Sequence, residues 1–88
     1  MPVELTPEEM AFADRVDRYC RERRTQPEMA ALERLSLGGF RARLQRCGLE
    51  VVSTTERRLV RLRSGEPFME ARERGEFVTA PAEPAEVA

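Results

Sequence analysis

The chain has 88 residues, enough for one small domain with a single core and a stability of about 5 kcal/mol. It contains no His and no Lys, so every fixed side-chain cation is an Arg, and the commonest general base and metal ligand are both absent. The overall charge of −1 conceals three blocks: five Arg against eight acids over residues 1–33, eight Arg against two Glu over 34–63, and two Arg against six Glu over 64–88.

A central block at +6 between acidic flanks is the electrostatic footprint of a polyanion-binding surface, nucleic acid first among them. Cys20 and Cys47 lie far apart with no C-x-x-C pair, which argues against a metal site. No apolar run approaches the ~18 residues of a membrane span, and Met1-Pro2-Val3-Glu4 has neither the basic start nor the apolar stretch of a signal peptide. These features predict a cytoplasmic protein with reduced thiols, no cofactor and no membrane partner.

Thr6-Pro7-Glu8-Glu9 opens the first helix, with an N-cap hydroxyl, a proline at the first helical position and a Glu at the third. Phe12, Ala13, Val16, Tyr19 and Cys20 then form one apolar stripe running to about Arg23, while Asp14, Arg15, Asp17, Arg18, Arg21 and Glu22 make the solvated face. Thr25-Gln26-Pro27-Glu28 repeats the capping pattern and starts a short second helix. Met29, Leu32 and Leu35 are its expected buried side, with Ala30 and Ala31 allowing close packing on the first helix.

Ser36 caps a third helix, in which Leu37, Phe40, Leu44 and Cys47 recur at helical spacing until Gly48. The opposite side carries Gly38, Gly39, Ala42, Gln45 and Arg46, with Arg41 and Arg43 on its two shoulders. Gly38 and Gly39 each cost about 1 kcal/mol relative to Ala in a helix. They mark either a close backbone approach to phosphate at the helix N-terminus or the turn between two helices.

Beyond Gly48 the period changes. Leu49-Glu50-Val51-Val52-Ser53 and Arg58-Leu59-Val60-Arg61-Leu62-Arg63, joined by Thr54-Thr55-Glu56-Arg57, predict a β-hairpin. Val60 and Leu62 are assigned to its packed face, Arg61 and Arg63 to its wet face, and Arg57 and Arg58 to its tip. Ser64-Gly65-Glu66-Pro67 is read as the cap of a last short helix through Phe68, Met69, Ala71 and Arg72 that stops at Gly75. Residues 1–78 make up the predicted domain, and residues 79–88, built from Ala, Pro, Glu and Val, are expected to be a disordered acidic tail. That tail is either solubilising or a competitor for the Arg surface.

The order helix, helix, helix, hairpin, with positive charge gathered on the last two, resembles the winged helix-turn-helix superfamily over about residues 6–63. The residues that carry the likeness are Ser36-Leu37-Gly38-Gly39-Phe40-Arg41-Ala42-Arg43-Leu44, similar to the start of a recognition helix, and Gly48-Leu49-Glu50-Val51, leading into a wing. The resemblance implies an α+β, mostly α fold: a three-helix bundle, a hairpin wing, a short C-terminal helix and the tail. It implies double-stranded DNA as partner, with Arg41, Arg43, Gln45 and Arg46 at the major groove and Arg57, Arg58, Arg61 and Arg63 at the backbone or minor groove, and Ser36 and Gly39 complete the expected DNA-binding set.

No nucleophile motif, phosphate loop or paired carboxylates suggest catalysis, and Tyr19 and Cys20 sit on an apolar stripe, so no catalytic residue is assigned. Two functions of different class follow. One is a DNA-binding transcriptional or replication regulator of bacterial, plasmid or phage origin. The other is a non-catalytic adaptor or inhibitor of the same fold, acting through a protein partner or as a homodimer.

Overall fold

The structure, a computed structural model, describes residues 2–53 and 56–80. Its elements are β1 (Val3–Leu5), α1 (Pro7–Arg21), α2 (Gln26–Leu32), α3 (Leu37–Arg46), β2 (Leu49–Ser53), β3 (Arg57–Arg61), α4 (Phe68–Glu73) and β4 (Phe77–Thr79). About half of the described residues are helical, in a small α+β arrangement.

Capping chemistry fixes the first three helix starts where the sequence puts them. The Thr6 hydroxyl accepts from the Glu9 amide at 3.1 Å while the Glu9 carboxylate accepts from the Thr6 amide at 2.9 Å, and Thr25 and Glu28 repeat the exchange at 3.2 and 2.8 Å. Ser36 Oγ accepts from the Gly39 amide at 3.0 Å. At the other ends, α3 and α4 stop on Gly48 (φ 75°) and Gly75 (φ 85°), whereas α1 and α2 stop on Arg23 (φ 63°) and Arg34 (φ 60°). α4 begins at Phe68 and has no side-chain cap, because Ser64 Oγ accepts instead from the nearer Glu66 amide.

β2 and β3 pair antiparallel from Leu49↔Arg61 to Ser53↔Arg57, and Thr54 and Thr55 between them lie outside the described residues. The second strand stops at Arg61, two residues earlier than expected, since Leu62 and Arg63 belong to a turn in which Arg63 has φ 72°. β1 and β4 form an unexpected parallel pair, Val3↔Phe77 to Leu5↔Thr79, and the Ala80 amide donates to the Leu5 carbonyl at 2.6 Å. Thr79 and Ala80 are therefore part of the fold and not of the tail; residues 81–88 lie outside the described residues.

One core joins all these elements. Phe12 of α1 meets Phe40 of α3 edge to face at 5.9 Å, and Phe68 of α4 meets Phe77 of β4 at 5.1 Å. Met29, Leu5, Val16, Leu49 and Leu59 fill the space between them. Cys20 and Cys47 are buried here, and burial pushes their thiols up to about 12 and about 11, leaving both protonated at neutral pH.

The second helix departs from expectation at Leu32, which is 49% exposed. Met29 and Ala30 define its inward direction, and the residue that continues it is Glu33, one turn beyond both. Arg15 grips the Glu33 carboxylate with two hydrogen bonds at 2.9 and 2.7 Å, and the Tyr19 hydroxyl donates a third at 2.7 Å. These bonds, Arg15 first, hold the Glu33 carboxyl below its ordinary range. A depressed folded-state pKa means stability that is present above the unfolded value of ~4.3 and is lost as pH falls through the folded value. Glu33→Gln is therefore expected to cost about 2 kcal/mol at pH 7. Its melting curves should converge on those of the parent protein as pH falls from 5 towards 3, and a constant gap would contradict the assignment.

Candidate nucleic-acid interface

Phe40 and Leu44 turn one side of α3 into the core, so the opposite side faces outward by helical geometry alone. Gly38, Gly39, Ala42, Gln45 and Arg46 are exposed along it. The two shoulders are occupied differently. Arg41 Nε donates to Gln26 Oε1 at 3.0 Å, beside a small groove between α2, α3 and β2. Arg43 lies over the Phe12 ring at 5.5 Å, on the α1 side. Between them a shallow depression of about 570 Å³ is lined by Leu35, Gly39, Ala42, Arg43, Gln45 and Arg46.

Gly38 and Gly39 both lie inside α3, so they do not form the turn between helices; that turn runs through Arg34 and Leu35. A Cβ on Gly39 would meet Ser36 Oγ at 3.1 Å, crowding the N-cap bond, whereas one on Gly38 would meet nothing within 4 Å. Gly38→Ala should therefore stabilise the fold by about 1 kcal/mol, read as a higher thermal midpoint. A drop in midpoint would place a contact at this open position.

The hairpin arginines are spread over several environments. Arg57 reaches back towards α1, its Nη1 donating to the Arg23 carbonyl at 3.3 Å, and it lines a cleft with Asp17 and Cys20. Arg58 is exposed and paired with Glu56 at 3.3 Å. Arg61, assigned to the wet face, turns inward: it lies over Phe77 at 5.4 Å and faces Glu66 and Glu76 at 3.7 and 3.5 Å. Strand alternation explains this, because Arg61 shares a face with Leu59 of the core. Val60 is 4% exposed on the other face, so β3 has no wholly wet side. Arg63 is exposed beyond the strand end.

Charge is sorted by structure as well as by sequence. Among the described residues, Arg15, Arg18, Arg21, Arg24, Arg58, Arg61, Arg72 and Arg74 each stand within ion-pair distance of a carboxylate. Arg41, Arg43 and Arg46 of α3 do not, nor do Arg34 before it, Arg63 near its end, and Arg23 and Arg57 at the cleft between α1 and β3. The helix also carries no acid in its first turn, unlike α1 and α2, so its N-terminal dipole is uncompensated. Sequence reasoning overlooked Arg34; its one available signal was its place between Glu33 and the Ser36 cap.

No family model, curated protein or solved structure matches the chain. No helix among the described residues is long and apolar enough to cross a membrane.

Proposed function

We propose that this chain is a small non-enzymatic DNA-binding protein of winged-helix type, acting as a transcriptional or replication regulator. α3 enters the major groove with Arg41, Gln45 and Arg46, and Ala42 and the two glycines permit close approach. The observation that carries this reading is the sorting of ion pairs: the arginines of α3 have no carboxylate partner among the described residues, while most arginines on the surrounding elements are neutralised. Arg61 is withdrawn from the proposed contact set, because two carboxylates already hold it.

The test is a salt titration of binding to random duplex DNA, followed by fluorescence anisotropy. With roughly four to five phosphates contacted, log K against log salt should fall with a slope of about −4. Measurable binding with a flat slope overturns the reading.

A second reading, a protein-interaction module, draws on Leu32, 49% exposed, and on Leu35 at the edge of the α3 depression, an apolar margin of the sort a protein partner covers. Loss of duplex binding together with saturable capture of one acidic protein favours this alternative.

A further inference from the structure

Among the described residues, three other than glycine hold a left-handed backbone, and all three are arginines: Arg23, Arg34 and Arg63. Glycine adopts this conformation without the steric cost that a Cβ brings, and the chain uses it at the equivalent ends of α3 and α4. Arg is not a residue favoured at such positions, so local geometry does not account for the choice. A side chain placed against backbone preference points to a use for the side chain itself.

Two of the three stand beside α3. Arg34 precedes the Ser36 cap, and its neighbour Leu35 lines the same depression as Gly39, Ala42 and Arg46. Arg63 follows Leu62, whose amide donates at 2.9 Å to the carbonyl of Gly48, just past the other end of the helix. Both are exposed, and neither has a carboxylate partner among the described residues. The ten residues of α3 span about 15 Å, comparable to the ~12 Å width of the DNA major groove.

We propose that Arg34 and Arg63 are phosphate contacts that bracket α3, one beyond each end, and that they meet opposite strands across the groove. The proposal rests on the DNA reading above and deepens it: the ligand must be a duplex, because a single strand offers only one of the two phosphate walls. Arg23 supplies an internal control. It has the same backbone conformation at the end of α1, but it lines the cleft between α1 and β3, where its carbonyl accepts from Arg57.

The experiment compares Arg34→Gly, Arg63→Gly and Arg23→Gly in the full chain, with binding to a random duplex of about 20 base pairs measured by anisotropy against salt. Each glycine fits the backbone already present, so all three variants should melt no lower than the parent protein. Arg34→Gly and Arg63→Gly should each weaken duplex binding about fivefold at low salt and reduce the salt slope by about 1, with Lys at either position restoring most of it. The double variant should also lose most of the preference for duplex over a single strand of the same length. Arg23→Gly should bind as the parent does. Parent-like binding by Arg34→Gly and Arg63→Gly, alongside weakened binding by Arg46→Ala, overturns the bracket and leaves the DNA reading standing. An equal loss in Arg23→Gly also overturns it, by showing only a general charge effect. A parent protein without salt-dependent duplex binding overturns both.

Discussion

Phe40→Ala is expected to leave the protein with no more than about 2 kcal/mol of stability at ambient temperature. The ring is fully buried, meets Phe12 edge to face, and is the main apolar anchor of α3 on α1. Arg43 lies over the same Phe12 ring, so loss of the Phe40 contact also loosens a shoulder of the proposed interface. Truncating a buried Phe costs about 3 to 5 kcal/mol through lost transfer energy and the cavity left behind, against a total of about 5 kcal/mol for a domain of this size. Leu44, 2% exposed one turn further on, should cost about 3 kcal/mol when cut to Ala. Circular dichroism decides the matter: for Phe40→Ala, a melting midpoint lowered by more than about 10 °C, or no cooperative melt at all, is the expected result. A native melt would mean that α3 does not face inward through this residue.

The largest expected effect on binding belongs to the pair Arg41→Ala with Arg46→Ala. Both side chains are exposed, and the one hydrogen bond of Arg41, to Gln26, lies at the surface, so stability should change by no more than about 0.5 kcal/mol. Duplex affinity at low salt should fall about 30-fold, and the salt slope should lose about 2. Arg46→Ala alone should also relax sequence preference, since an Arg on the centre of the exposed face can reach base edges where a shoulder residue meets phosphate. Arg61→Ala is expected to behave in the opposite way, lowering the melting temperature through loss of the Glu66, Glu76 and Phe77 contacts while leaving affinity nearly unchanged. An anisotropy titration in which the double variant binds like the parent removes α3 from the interface.

The contrast between Arg46 and Arg61 shows which parts of this molecule are legible from its residues. Helix starts are written locally, in a threonine or serine and the group three positions on, so α1, α2 and α3 follow from a few residues each. The exposed face of α3 follows from its 3.6-residue period. Three-residue strands have no period to read, and the pairing of Val3–Leu5 with Phe77–Thr79 depends on segments at opposite ends of the described chain. The inward turn of Glu33 in place of Leu32 was equally hidden, because a carboxylate enters a core margin only when its partners come with it, and Arg15 and Tyr19 lie on another helix. Arg61 reads as exposed from sequence for the same reason: its partners Glu66 and Glu76 stand outside the strand, one just before and one just after α4.

The parallel pairing of β1 with β4 also sets an order of events. Contacts within and between α1, α2 and α3 close short loops, whereas the β1–β4 pair closes nearly the whole described chain and has the greatest loop-closure entropy to overcome. The helical bundle should assemble first and the terminal strands last, and in native-state hydrogen exchange the amides of Val3 and Ala80 should open well before those of Phe12 and Phe40. The three arginines of α3 would then be in place before the chain ends meet, and the terminal seam would act as a late latch whose release leaves the bundle standing.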